Sequence, residues 1–501
     1  MSAYPKKFVQ TLLPFILGAI SVLGFAPYYL YPVSIIALAA LFYSWQRCAT
    51  AKQAALTGFM YGLGLFGVGI YWIYISLHTY GNMPAVMAGI STFVLAAFLA
   101  LFPAAVGALA KRLSNHKNHV FLIAVAVLWG VADWVRSWIF TGFPWLTMGY
   151  SQLPHSPLAG YIPIFGVYAV SIISVLIAGL LSSLFNKQLA QACKRGAVIA
   201  LVIIIVSGEL LKRVEWTRPS GKPLSVSLLQ GNIDQTIKWV PEIAERTLNR
   251  YLEMTEQSQA KLIVLPETAM PVLSSNLPPA LIERLQQHGR SNQGDILVGM
   301  VERENGEYFN SVLSFGSAET ATYRKSHLVP FGEFIPFKVI FGWIYRDWLN
   351  MPLSDLSRGS IYQQPMQVAG EKVAVNICYE DVFGEEIIRQ LPAATLLVNV
   401  SNDAWYGDSY AADQHLQFSQ ARALETGRMM LRATNTGATA IIDQRGYVQA
   451  HAPHFVTTIL HGEVQGYSGA TPYVLWGNWP FVLLSFAILI LLWRRKTTVH
   501  A

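Results

Sequence analysis

Long apolar segments bracket one polar stretch, and that division constrains the chain more than any other feature. Residues 8–211 are apolar with sparse charges, residues 473–493 are apolar again, and the stretch between them, roughly 214–468, has the composition of a soluble domain. Of the 501 residues 13% are charged, against about 25% in soluble domains. A helix crossing a bilayer needs about 20 apolar residues, because hydrocarbon offers no water to satisfy backbone N–H and C=O groups. Such segments lie near 8–25, 33–47, 54–76, 84–109, 119–140, 161–185, 196–211 and 473–493, so the pattern predicts eight spans. The expected organisation is a transmembrane domain of about seven helices over 1–212, an extramembrane domain over 213–470, and a last helix with a short tail over 471–501. The middle domain is long enough to bury its own core.

Basic residues orient the spans. They cluster at Lys6 and Lys7, at Arg47 and Lys52, at Lys111, Arg112 and Lys117, at Lys187, Lys194 and Arg195, and at Arg494, Arg495 and Lys496. The alternate connections, 26–32, 77–83 and 141–160, contain none. Positive loops stay cytoplasmic, so both termini are expected in the cytoplasm and the polar domain on the outer side, which for the inner membrane of a bacterium is the periplasm. Lys212 and Arg213 break the alternation, but they open a long domain, and long domains translocate largely regardless of charge. The first helix, after its two lysines, reads as an uncleaved span. The net charge of +7 sorts into these loops, with no basic stripe interleaved with aromatics, which argues against nucleic acid as a partner.

Of three cysteines, Cys378 alone lies in the polar stretch, so no disulfide can form within that domain. Cys48 and Cys193 fall at cytoplasmic ends of spans and read as small apolar residues. Asp133 and Arg136 share one helix face near the outer end of the fifth span. Charges inside a membrane are costly: either these two form an ion pair that fixes helix packing, or Arg136 holds a phospholipid head group.

Within the polar stretch, strand-like runs at 225–229, 262–265, 296–300, 311–315, 373–377, 395–400, 431–434 and 440–443 alternate with helix-like segments at 242–259, 279–288, 384–390 and 414–427. This predicts an α/β domain with more strands than one small layer holds. Residues 331–356 are aromatic-rich without a clear period. They read either as buried core or as an apolar lid near the bilayer interface, where Trp and Tyr are favoured.

Three polar clusters stand at or near the ends of strand-like runs, where α/β proteins build sites. They are Pro266-Glu267, the segment from Lys325 to Glu333, and Cys378-Tyr379-Glu380. Cysteine acyl transfer needs a thiol, a base to take its proton and a positive group or N–H donor for the oxyanion. Cys378 is the candidate nucleophile and Glu267 the candidate base. Lys325 and the backbone N–H of Tyr379 are candidates for the oxyanion. The 384–390 segment, just after the cysteine, would present a helix dipole favouring a thiolate. Each residue taken alone has a blander reading: a core thiol, a loop carboxylate, a solvated lysine.

These motifs, in this order, resemble the nitrilase or carbon–nitrogen hydrolase superfamily, and the full chain resembles the apolipoprotein N-acyltransferase family. The likeness extends to the phrases 229–233 with Trp239, 327–333, 401–407 and, in the membrane part, 141–150. The resemblance implies an αββα sandwich joined to a polytopic α-helical membrane domain, with Glu267, Lys325 and Cys378 as a triad and Glu333, Tyr379, Glu380 and Trp239 in support. It also implies the reaction. An acyl chain moves from the sn-1 position of a phospholipid, phosphatidylethanolamine by resemblance, through a thioester to the α-amine of a diacylglyceryl-cysteine on an apolipoprotein.

Two other functions fit parts of the pattern. A membrane-tethered amidase or nitrilase would use the same triad with water as acceptor, although one span would suffice as a tether. A transporter or lipid receptor would only bind, but such proteins place charges near the bilayer midplane. No cofactor or metal is expected: there is no Gly-rich phosphate loop, and the scattered histidines, His327 and His415 among them, read as local hydrogen-bonders.

Overall fold

The computed structural model describes residues 4–114, 118–336 and 355–498. Most of the aromatic stretch 331–356 therefore lies outside the described residues. Two compact units emerge, one formed by Met1–Tyr74, Val86–Val214 and Trp476–Ala501, the other by Ile75–Ala85 and Glu215–Leu475.

Among the described residues the first unit is built on helices and their connecting turns. Apolar helices occupy Tyr4–Ser21, Tyr31–Gln46, Ala51–Gly69, Ala85–Leu113, Asn118–Arg136, Ile162–Leu184, Gln191–Leu211 and Trp479–Thr498. Among the described residues three helices, Ala85–Leu113, Asn118–Arg136 and Pro157–Leu184, are long and apolar enough to cross a membrane. A fourth qualifies if the bent pair Ala51–Gly69 and Trp72–Tyr80 counts as one span. Tyr31–Gln46 falls short because 16 residues reach only about 24 Å of a hydrocarbon core of about 30 Å. Small residues let the helices approach. A Cβ on Gly18 would lie 1.9 Å from the Tyr61 carbonyl oxygen, and one on Gly64 would lie 2.0 Å from that of Phe15. Backbones in lipid gain contact in this way where no hydrophobic drive brings helices together.

The second unit is a sandwich of two sheets. The first sheet runs β13 (Thr458–Gly469), β1 (Thr217–Gln230), β2 (Leu262–Val264), β4 (Asp295–Glu304), β5 (Glu307–Gly316), β6 (Thr322–Arg324), with β3 (Met270–Leu273) beside β4. The second runs β12 (Val448–His451), β11 (Ala440–Ile442), β10 (Met430–Thr434), β9 (Leu396–Ser401), β8 (Glu371–Ile377), β7 (Met366–Val368). Alternation sorts the side chains. Val373, Val375 and Ile377 of β8 enter the core between the sheets, and Ala374 enters the core beneath the helix Ala411–Thr426. Leu297 of β4 likewise faces the inter-sheet core, whereas Ile296 and Val298 face the core beneath the helices Pro241–Gln257 and Pro279–Ser291. The layers are thus helix, sheet, sheet, helix, as the family resemblance implied.

All eight expected strands form. β3, β6, β7, β12 and β13 were not anticipated. β13 is the longest of these, but its Gly462, Gly466 and Gly469 and its exposed polar residues hide the period of two. Its order comes from antiparallel pairing with β1 along nearly its whole length.

Candidate active site

Topology gathers the three polar clusters. β2 runs parallel to β1 and β4, and β8, β9 and β10 run parallel to one another. Glu267 lies beyond the carboxyl end of β2, Lys325 directly follows β6 and Cys378 directly follows β8.

The side chains of Glu267 and Lys325 meet. Lys325 Nζ is 3.4 Å from Glu267 Oε1 and donates to Glu333 Oε1 at 2.9 Å. Asn310 of β5 donates to the same two oxygens, at 2.7 Å to Glu267 and 3.0 Å to Glu333. Glu333 Oε2 accepts from the Val329 N–H at 2.8 Å. One ammonium and one amide therefore bridge two carboxylates. Lys325 is 1% exposed. Burial works against its charge, but Glu333 and Glu267 outweigh it and hold its pKa well above the ordinary lysine value.

Cys378 is buried and adopts φ +53°, a left-handed conformation that side chains seldom take. Burial pushes its thiol pKa well up, the Glu267 charge pushes it further, and Lys325 pulls the other way. The resting sulfur is thus a thiol that needs a base at the moment of attack.

Glu380 ties two of these clusters together. Its Oε1 accepts from the Ser326 N–H at 2.6 Å, the Ser326 hydroxyl at 2.9 Å and the His327 N–H at 3.1 Å. Its Oε2 accepts from the Tyr323 hydroxyl at 3.0 Å and the Ile377 N–H at 2.8 Å. This one carboxylate joins the chain beside Lys325 to the residue before Cys378. Burial raises its pKa, and the Ile377 N–H, the Lys325 charge and the N–H groups of Ser326 and His327 oppose that rise. Tyr379 sits edge-on to Phe383 at 5.1 Å and to His327 at 5.7 Å, and His327 stacks on Phe383 at 3.8 Å. Trp239 is half-buried, and its indole Nε1 has no hydrogen-bond partner among the described residues.

Sequence reading missed Lys238. This lysine is buried and donates to Thr268 Oγ1 at 2.6 Å, one residue past Glu267. Burial lowers its pKa to about 8, with Glu267 opposing. Its only sequence signal was its place beside Trp239. His415 was also misread. Its Nδ1 lies 2.8 Å from Asp403 and its Nε2 lies 2.9 Å from Asp381 and 3.2 Å from the Cys378 carbonyl. Those partners are distant in sequence, so the contacts are tertiary rather than local. The Cys378 sulfur, an Asp403 oxygen and a His415 ring nitrogen all lie within 4.8 Å of one another. With both ring nitrogens turned to acceptor oxygens, the arrangement is an ion-pair network.

Two further expectations need correction or resolution. The 384–390 segment is a four-residue helix, Gly384–Ile387, followed by a 3-10 turn, too short to present the expected dipole. Arg136 is 2% exposed. It pairs with Asp133 at 3.0 Å and donates to Thr147 Oγ1 and to the carbonyls of Phe143 and Trp145. That geometry favours the helix-packing alternative over head-group contact.

A thiol, a carboxylate and an ammonium at one rim of a sandwich suit acyl transfer chemistry. Residues 225–473 match the carbon–nitrogen hydrolase family, and residues 17–180 match the apolipoprotein N-acyltransferase N-terminal domain. Fold and site together define a membrane-associated protein with a carbon–nitrogen hydrolase domain. An apolipoprotein N-acyltransferase of Nitrosomonas europaea is 51% identical over 93% of this chain and 93% of its own length. Those of Chromobacterium violaceum and Methylococcus capsulatus are 42% and 40% identical over 96% of this chain and 93% and 95% of their own. The chain belongs to the apolipoprotein N-acyltransferase family.

Proposed function

We propose that the protein transfers an acyl chain from a membrane phospholipid to the N-terminus of an apolipoprotein, by way of a thioester on Cys378. The strongest support is the placement of Glu267, Lys325 and Cys378 just after strand ends, with Lys325 Nζ 3.4 Å from Glu267 Oε1 and both charges bearing on the Cys378 thiol.

The resting thiol is protonated, so attack and proton transfer proceed together. Cys378 Sγ bonds to the sn-1 ester carbonyl carbon while Glu267 takes the thiol proton. The developing oxyanion is stabilised by the Lys325 ammonium and the Tyr379 N–H. Collapse breaks the ester C–O bond, and Glu267 returns the proton to the leaving lysophospholipid. The α-amine of the diacylglyceryl-cysteine then attacks the thioester, gives its proton to Glu267, and the amide forms as the cysteine thiol is regenerated. Glu333 and Asn310 hold Lys325 and Glu267 in register throughout, and Trp239 and Glu380 complete the support. Phosphatidylethanolamine is the preferred donor in this reading.

Both substrates are lipid-anchored, and a thioester must be kept from water. The aromatic stretch 331–356 is the candidate cover. The basic-residue pattern supports eight spans in the inner membrane, with domain limits at 1–212, 213–470 and 471–501, both termini cytoplasmic and the hydrolase-like domain periplasmic. The test separates the half-reactions. Enzyme is incubated with acyl-labelled phospholipid, freed of donor, and then given a diacylated lipopeptide. Label should pass from protein to the peptide's N-terminus. Release of the label only as free fatty acid would sink the proposal and favour the hydrolase reading.

A further inference from the structure

Beneath the nucleophile lies a set of buried charges that the mechanism above does not use. His415 on the helix Ala411–Thr426, Asp381 in the turn after Cys378, Asp403 in the turn after β9, and Arg432 on β10 are each 2% exposed or less. Arg432 donates to Asp381 Oδ2 at 3.0 Å and to Asp403 Oδ2 at 2.8 Å. His415 faces the other oxygen of each carboxylate. One guanidinium against two carboxylates leaves a net negative charge in a fully buried place, and such a charge is costly unless paired. The His415 ring nitrogens face three acceptors: Asp403 Oδ1, Asp381 Oδ1 and the Cys378 carbonyl. A ring that donates from both nitrogens is an imidazolium, and its charge balances the set.

The network closes on one atom. The Cys378 carbonyl oxygen accepts from His415 Nε2 at 3.2 Å and from Asn399 Nδ2 at 3.1 Å. Asn399 is itself fixed by Arg432 Nη1, which donates to its Oδ1 at 2.6 Å. Both holders of that carbonyl are thus anchored in the charged set. The peptide bond is planar and trans, so the Tyr379 N–H points opposite to the Cys378 C=O. Pinning the carbonyl aims the N–H.

We propose that His415, as an imidazolium clamped between Asp381 and Asp403, is a positioning residue that sets the Cys378–Tyr379 peptide plane and so aims the Tyr379 N–H at the oxyanion. This rests on Cys378 being the nucleophile. The groups facing His415 are Asp381, Asp403, Arg432 and the Cys378 thiol, and burial together with Arg432 is outweighed by the two carboxylates, which raise its pKa to about 9.

Two reactions of the same sulfur separate aiming from general damage. Ester acylation builds an oxyanion, whereas alkylation by iodoacetamide does not. In the full-length enzyme in detergent, His415→Gln should slow acyl-enzyme formation by about 100-fold, the effect of losing one oxyanion donor. KM for phospholipid should stay within about 3-fold, and the rate of Cys378 alkylation, read by peptide mass spectrometry, should fall by no more than about 10-fold, since alkylation feels the lost charge near the sulfur but builds no oxyanion. The wild-type to variant ratio of acylation rates should fall toward one as pH rises through about 9. A wild-type acylation rate in the variant, equal losses in acylation and alkylation, or a ratio that ignores pH would each overturn the proposal. Should the variant fail to fold, nitrogen-15 histidine spectra of the wild type decide: one ring protonated on both nitrogens at pH 7.5 supports the clamp, and no such ring overturns it. Failure of the nucleophile assignment has a separate signature, acyl transfer that survives Cys378→Ala.

Discussion

Glu380→Gln isolates how the two halves of the site are held in register. The carboxylate accepts five hydrogen bonds, three of them from backbone N–H groups of Ser326, His327 and Ile377. Glutamine keeps one oxygen. Placed at the Oε1 position, it retains both Ser326 bonds and the His327 bond. The new NH2 then faces the Tyr323 hydroxyl, which can turn and accept, and the Ile377 N–H, which cannot. One buried N–H is left without an acceptor at a cost of about 1–3 kcal/mol. For a domain of this size each kcal/mol lowers Tm by about 2–4 °C, so a drop of roughly 4–8 °C is expected for a loss near 2 kcal/mol. The loosened link joins the residues flanking Lys325 to the residue before Cys378. A displacement of about 1 Å there slows acyl-enzyme formation by about 100-fold. Scanning fluorimetry and single-turnover acylation with labelled phospholipid measure both. A Tm within 1 °C of wild type (a fraction of the predicted shift) together with wild-type acylation would refute the reasoning.

Two other outcomes follow from the charges. Lys325→Met should reduce acyl-enzyme formation by about 100- to 1000-fold, and Lys325→Arg should not restore it, because a planar fork cannot replace a point charge between Glu267 and Glu333; near-normal rates in either variant would contradict the oxyanion role. His415 has a folded pKa raised to about 9 from 6.5, so its contribution is full below 6.5 and is lost as pH rises through 9. Lys238, lowered from 10.5 to about 8, adds stability only as pH rises above 8. Between pH 6.5 and 8 the first acts alone, and stability should fall by roughly 2 kcal/mol. A melting temperature that rises across that interval would contradict the assignment of charge to His415.

Much of the catalytic unit was legible because its signals are local. Apolar runs such as 373–377 announce strands buried on both faces, and Glu267 and Cys378 stand where such runs stop, whereas Lys325 follows the short polar strand β6. The hidden parts depend on distant pairing. β13 becomes a strand against β1, more than 200 residues away by register. Asp381, Asp403, His415 and Arg432 come from separate elements, and nothing beside any of them in sequence shows that they share one buried site. Lys238 carries no local sign of burial, and the fold brings it to Thr268, 30 residues away. In the membrane unit, composition marked where the apolar helices lie. The pairing of Arg136 with Asp133 was one of two readings the i, i+3 spacing allowed, and the carbonyls of Phe143 and Trp145 tip the balance.

Peptide mapping of the donor-loaded enzyme tests the central claim most directly. After incubation with phospholipid alone, the peptide containing Cys378 should carry one fatty acyl mass that neutral hydroxylamine removes, and Cys378→Ala should carry none. An acyl group found on another residue, or label retained in the alanine variant, would contradict the account.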